Sequence, residues 1–383
     1  MPADRLRANA LLCILRCEVN ALVIHDTRLG TRTRLALVGA IVLSVGAAFL
    51  YLGGWLSPHQ LSPGRLVDTF ESLNGPHPGF RRNHAKGVSV SGYFEANGAG
   101  TRLSKASVFS PGRVPVVGRF ALAGGMPYAP DGVATVRSMG LRFSLPHGEE
   151  WRTGMNNIPV FVVNTAEAFN EQLIATAPDP ATKKPNPEKL AAFIAKHPEF
   201  ARAVGAIKAQ APTSGFEDST YNSLNAFELT NDAGQVTKVR WSMVPVQPAA
   251  RVPALPPGAA PTPNFLFDAL IAKVKEQPLR WRLVLTIGQA ADSTRDSTLA
   301  WPDSRERVDV GTLTIDHVEG EATGPARTIN FDPLVLPNGI AGSDDPLLSA
   351  RSAAYSQSFT RRVAEPVSSS AVTTSESERV STP

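Results

Sequence analysis

Asp345-Pro346-Leu347-Leu348-Ser349-Ala350-Arg351-Ser352-Ala353-Ala354-Tyr355-Ser356-Gln357-Ser358-Phe359-Thr360-Arg361-Arg362-Val363 is the stretch on which the reading of this chain turns. It reads as a helix. Asp344 or Asp345 can cap it, and Pro346 suits its first turn. Arg351, Tyr355, Phe359 and Arg362 follow one another at intervals of four, four and three residues, which at about 3.6 residues per turn puts all four on one face. A guanidinium one turn before a tyrosine favours the phenolate form. A phenolate is a hard anionic ligand suited to ferric haem iron, and Arg362, about two turns on, could pair with a haem propionate. Taken alone, an arginine–tyrosine pair on a helix is more often a surface contact than a metal site.

Working back along the chain, Val88–Phe94, Val114–Phe120, Gly140–Ser144 and Val160–Val163 are short apolar runs punctuated by Gly and Pro, as in an antiparallel sheet or barrel. Asn225–Thr230 and Gln235–Met243 flank Asn231-Asp232-Ala233-Gly234 and read as a hairpin. Trp281, Leu283, Leu285 and Ile287 alternate with Arg282, Val284 and Thr286, a half-buried strand. Between these, Glu188–Gln210 carries apolar residues at helical spacing, with Pro198 predicting a break or kink. Pro245–Pro263 reads as a stiff, exposed connection, and the Ser/Thr-rich residues 364–383 as a disordered tail.

The composition agrees with a loop-rich β domain. Apolar residues make up 43% of the 383, enough for a real core, and 32 Pro with 30 Gly argue against a helical bundle. A net charge of +4 without a basic stripe gives no nucleic-acid footprint. Cys13 and Cys17 both precede the one long apolar segment, so they cannot staple the main domain, and no nearby histidine completes a zinc site. That apolar segment, Leu35–Leu56, has no charge and the length of a membrane helix. Arg28, Arg32 and Arg34 precede it, and Tyr51 and Trp55 sit near its far end. The positive-inside rule then leaves the N-terminus in the cytoplasm and the rest outside. A cleaved signal peptide is the competing reading; its apolar region is usually only ~7–15 residues. Val23 is an alternative start. The organisation expected is a cytoplasmic segment over 1–34, a transmembrane anchor over 35–56, a linker over 57–65, one domain over 66–363 and the tail.

Several motifs, in order, are similar to those of the catalase family. Arg81-Arg82-Asn83-His84-Ala85-Lys86-Gly87 with Ser91-Gly92-Tyr93-Phe94-Glu95 resembles the distal-histidine segment, and Val117-Gly118-Arg119-Phe120 the strand after it. Gly154-Met155-Asn156-Asn157-Ile158-Pro159-Val160-Phe161 resembles the distal-asparagine segment. Ala300-Trp301-Pro302, Phe331-Asp332-Pro333 and Leu336-Pro337-Asn338-Gly339-Ile340 then lead into the Arg351–Tyr355 helix. The resemblance covers residues 66 to 363. It implies an α+β fold, an antiparallel catalase-core β-barrel with surrounding helices, preceded here by one transmembrane helix.

The resemblance also implies roles. His84 would be the distal acid–base group, Asn157 the hydrogen-bond donor that holds peroxide, and Tyr355 the axial ligand of a haem b iron with Arg351 as its charge partner. Arg81, Arg119 and Arg362 match positions that bind the propionates, while Phe161 and Phe169 line the distal pocket. Two departures stand out. Ala121 occupies the place where the family usually has a serine bonded to the distal histidine, and Phe359 a place where many members have histidine. Large members carry a longer N-terminal arm, and some an extra C-terminal domain; the pattern here is closest to the small catalase-related peroxidases, which are often exported. The expected activity is reduction of hydrogen peroxide by an organic electron donor with weak dismutation, from a domain on the periplasmic side of the inner membrane. Its partners would be hydrogen peroxide, an organic donor, the membrane through residues 35–56 and, as one option, a second copy in a homodimer. The alternatives are a minimal true catalase, a rearranger of fatty-acid hydroperoxides, or a non-catalytic haem carrier or sensor. A carrier would not need both distal groups.

Overall fold

The computed structural model describes residues 30–52, 61–132, 134–249 and 262–374. Cys13, Cys17, Val23, Arg28, Trp55 and most of Pro245–Pro263 lie outside them. The first helix, α1 (Thr31–Leu52), belongs to a unit separate from the one that starts at Pro63. Arg32 and Arg34 are its only charges. Its 22 residues extend about 33 Å at ~1.5 Å each, enough for a hydrocarbon core of ~30 Å.

The second unit runs α2 (Pro63–Asn74), β1 (Gly87–Ala96), β2 (Gly112–Leu122), β3 (Arg137–Ser144), β4 (Glu150–Asn156), α3 (Ala166–Thr176), α4 (Pro187–Lys196) and α5 (Pro198–Lys208). It continues with β5 (Tyr221–Asn222), β6 (Phe227–Thr230), β7 (Val236–Pro245), α6 (Phe265–Glu276), β8 (Leu279–Ile287), β9 (Arg307–Gly320), β10 (Ile340–Gly342) and α7 (Pro346–Val363). Every strand pairing is antiparallel. The order β7-β5-β4-β3-β2-β1-β9-β8 returns to β7 and closes an eight-stranded barrel, with β6 and β10 extending one side. Closure leaves the barrel strands without a free edge.

Side-chain alternation sorts each strand into two faces. Val116, Phe120 and Leu122 of β2, Met139, Leu141 and Phe143 of β3, and Trp151 and Met155 of β4 turn inward. There they join Phe94, Tyr221, Trp241 and Trp281 in the main apolar core. The intervening residues turn outward, towards α7 and the loops before and after it.

The helical region divides at Pro198 as the sequence predicts, and Asp345 is the cap of α7, its side chain accepting from the Leu347 amide. Two expectations need correction. Val160–Val163 is not a strand: Val163 is buried in a satellite cluster with Ala168 and Phe193, so its apolar run packs against the helical region rather than a sheet. Nor is the tail free as far as Thr374. Glu365 pairs with Arg82, the Ser368 hydroxyl donates to the Pro78 carbonyl, and Val372 is completely buried. An ion pair, an apolar anchor and side-chain hydrogen bonds at Ser368, Ser370 and Thr374 hold a segment whose composition alone suggests disorder.

Candidate active site

The outward faces of β2, β3 and β4 line up in rows. Strand register sets Arg119 opposite Gly140 and Gly140 opposite Gly154; the next row is Ala121, Ser138 and Asn156. All six border one cavity. The glycines leave little space above them. A Cβ on Gly140 would sit 3.1 Å from the Phe331 ring, and one on Gly154 would sit 3.3 Å from Tyr355 Oη and 3.4 Å from Arg351 Nη2. The missing side chains let α7 bring Tyr355 against the barrel wall.

Helix α7 is fixed by its cap. Buried Asn225 donates to Asp345 Oδ2 at 2.7 Å and accepts from Arg351 Nη1, while Arg351 Nη2 donates to the Gly154 carbonyl at 2.9 Å. The Arg351 guanidinium therefore stays 6.0 Å from the centre of the Tyr355 ring. Leu66, Val67 and Phe70 of α2, with Phe161 and Phe169, give the cavity an apolar wall.

His84 enters this cavity from the turn before β1, where its backbone is left-handed at φ 55°. Such a conformation is uncommon for a non-glycine residue, and here the Asn83 side chain stabilises it by accepting from the His84 and Gly124 amides at 2.9 and 3.1 Å. Burial, followed by the charges of Arg119 and Arg351, lowers the His84 pKa to about 3, so the imidazole is neutral. The ring has a partner despite the alanine at 121: the Ser138 hydroxyl lies 2.9 Å from Nδ1. A hydrogen bond with the Leu122 backbone is a second partner of the ring.

Three guanidiniums that border the cavity, those of Arg81, Arg119 and Arg362, surround one carboxylate. Glu321 accepts from Arg119 at 2.7 and 2.8 Å and from Arg81 at 3.2 Å. Burial would raise the Glu321 pKa, but Arg119 and Arg81 outweigh it and hold the carboxyl at about 2. Burial, with Arg119 adding to it, lowers Arg81 to about 10; burial, with Arg81 adding to it, lowers Arg362 to about 9. One Arg362 nitrogen donates to the Arg327 carbonyl at 2.7 Å; the other, Nη2, is buried without a partner. Three cations, one anion and an orphaned donor fit a ligand bearing two carboxylates. With a phenol poised over a glycine floor, the residues fit haem.

Arg81, His84, Arg119, Phe161, Phe169, Arg351, Tyr355 and Arg362 thus all meet at one cavity. Asn157 does not. It lies beyond the end of β4, its Oδ1 accepting from the Arg137 amide at 2.8 Å, and Asn156 borders the cavity instead. The alternation of β4 gives the reason: Gly154 and Asn156 share the outward face, and the next residue leaves the strand. Sequence reasoning also missed Ser138, Asn225 and Glu321. None stands in a motif, and only strand register or tertiary contact brings them in.

The model of the catalase family, described simply as catalase, matches residues 58–378. The chain is 36% identical over 325 residues to a catalase-related peroxidase of Synechococcus elongatus, covering 85% of this chain and 94% of that one. It is 31% identical over 303 residues to a catalase-related peroxidase of Mycolicibacterium paratuberculosis, covering 79% and 95%. Catalase of Sus scrofa is 26% identical over 296 residues, 73% of this chain and 55% of its own length. Among solved structures, a bacterial catalase superposes with a TM-score of 0.65 at 20% identity, covering 78% of this chain and 60% of the other. Catalase A from Saccharomyces cerevisiae gives 0.66 at 18%, covering 78% and 64%. The fold, the ordered motifs and the match over most of the sequence agree: the chain belongs to the catalase family.

Proposed function

We propose that this protein is a haem b peroxidase that reduces hydrogen peroxide with electrons from an organic donor, dismutates it only weakly, and is anchored in the inner membrane by α1. It is an oxidoreductase acting on hydrogen peroxide, as its family and its peroxidase relatives support. The observation that carries the reading is that His84 and Tyr355, from opposite ends of the domain, open onto one cavity bordered by the half-buried Arg81 and the buried Arg119 and Arg362.

In this reading Tyr355 is the iron ligand, Arg351 holds a positive charge beside its ring, and Arg81, Arg119 and Arg362 receive the propionates. Haem would supply the redox chemistry that holds the two oxidising equivalents of peroxide until the donor is oxidised. The protein's part is proton handling and orientation. A neutral imidazole can take a proton from one peroxide oxygen and return it to the departing one. The Asn156 amide, which borders the cavity across the strand pair from Ser138, would donate a hydrogen bond to the substrate. The apolar wall from α2, Phe161 and Phe169 limits access of bulk water.

Tyr355→Phe tests the centre of the proposal: haem content and the Soret band of the purified chain should collapse, and an unchanged spectrum would sink the assignment. Oxygen release and dye oxidation under matched peroxide decide between peroxidase and catalase; fast oxygen evolution with negligible donor oxidation would select the latter. Full-length protein in the soluble fraction with a trimmed N-terminus would favour a cleaved leader over an anchor. Light scattering on the full chain in detergent separates a monomer from a homodimer.

A further inference from the structure

The Ser138 hydroxyl has one hydrogen and two neighbours. It donates to the Ala121 carbonyl at 3.3 Å and lies 2.9 Å from His84 Nδ1. If its hydrogen is given to the carbonyl, its oxygen is left to accept from the ring. We infer that Ser138 is a positioning residue that holds His84 in the tautomer protonated at Nδ1, which leaves Nε2 with the lone pair that proton transfer requires. The inference rests on the acid–base role proposed above for His84. It explains how the chain tolerates alanine at 121.

Ala121 and Ser138 are direct register partners on neighbouring strands, and both face the cavity. A hydroxyl absent from β2 is therefore supplied from β3, one strand across, on the same face. A hydrogen bond to one ring nitrogen fixes the tautomer and the orientation of the other. The charged groups that act on the ring are Arg119, Arg351 and Arg81, all cationic, and its hydrogen-bond partners are neutral, the Ser138 hydroxyl and the Leu122 backbone, which can orient the imidazole without charging it. The backbone is already pinned by Asn83, which leaves rotation of the side chain as the freedom that Ser138 removes.

The test uses the full chain in detergent with ¹⁵N-labelled histidine, haem-free and haem-loaded. In the haem-free protein the His84 ring should show a protonated Nδ1 and an unprotonated Nε2 from roughly pH 5 to 8. Ser138→Ala should turn this into a mixture or the opposite tautomer. In the haem-loaded protein it should keep the Soret band and lower peroxide consumption by ~10–100-fold. Adding Ala121→Ser to Ser138→Ala should restore both the tautomer and most of the rate, which a merely structural role for Ser138 does not predict. If Ser138→Ala keeps the Nδ1-protonated ring, or turns over peroxide at the parent rate, the inference is overturned. If the tautomer follows the hydroxyl while no variant, parent included, binds haem, Ser138 positions His84 and it is the peroxidase reading that falls.

Discussion

The inner and outer faces of β2, β3 and β4 are made by alternate residues of the same three strands, yet they differ in almost every physical respect. The inner face is bulky, apolar and closed: Trp151 stacks on Phe143 with ring centres 4.7 Å apart and meets Trp241 edge-on at 5.1 Å. The outer face over the cavity mixes small residues with a few polar ones: Arg119, Gly140 and Gly154 in one row, Ala121, Ser138 and Asn156 in the next. One face fills space and the other leaves it. Because the period of a strand is two, neither face constrains the residue types of the other, and a chemical site can change without disturbing the core beneath it.

Four measurements would break or sharpen that division. Trp151→Ala, on the inner face, should cost ~3–5 kcal/mol of stability in denaturant unfolding; a change below 1 kcal/mol would mean that the inner face is not what holds the barrel. His84→Ala, on the outer side, should lower peroxide turnover by ~10²–10⁴-fold while keeping haem content and the unfolding midpoint. A variant with the parent rate would remove His84 from the chemistry.

The third concerns Glu321, whose carboxyl is held at about 2 in the folded protein against an ordinary 4.5. A depressed folded pKa contributes stability that is fully present above about pH 4.5 and is lost as the pH falls through about 2, a difference of about 3 kcal/mol. Unfolding of the haem-free chain between pH 5 and 2, set against Glu321→Gln, should show this loss in the parent and not in the variant. Parallel acid profiles would rule the carboxylate out as the source. The smallest effect separates neighbours. Asn156→Ala should reduce turnover by roughly tenfold, the worth of one lost hydrogen bond to substrate, with stability unchanged. Asn157→Ala should instead destabilise by ~1–3 kcal/mol, because it strands the Arg137 amide. Reversed effects would return the substrate-holding role to Asn157.

These pairs also mark how far the sequence could be read. The α7 helix was fully legible, since cap, proline and the Arg351–Tyr355 interval are local signals. So were β1, β2 and the β6–β7 hairpin, which carry apolar runs bounded by turn residues. By contrast β4, Glu150–Asn156, was hidden because its outward positions are Glu150, Arg152, Gly154 and Asn156, leaving only a sparse apolar alternation. Without that strand's end point, the Asn156–Asn157 doublet has no preferred member. Ser138 and Glu321 were invisible for a different reason: their roles depend on a partner strand or on arginines far away in sequence. The tail misled because Ser and Thr dominate its composition, whereas buried Val372, the ion pair at Glu365 and hydrogen bonds at Ser368, Ser370 and Thr374 hold it to the domain.

The seam of the barrel has a consequence for how the protein is made. Strand β1 pairs with β9, Val88 opposite Gly320 and Ala96 opposite Gly311. At ~5–20 residues per second, a ribosome needs roughly 10–45 s to deliver the second partner after the first. Throughout that interval one edge of β1 is open, and a nascent chain with an unpaired edge is a substrate for chaperones as much as for itself. Helix α7 follows β9, so Tyr355 and Arg362 emerge only after His84, Arg119 and Asn156 have long been waiting. The wall bearing the arginine–tyrosine pair is thus the last to be synthesised, and a chain truncated between β9 and α7 would possess a histidine, an asparagine and all eight barrel strands with nothing to face them.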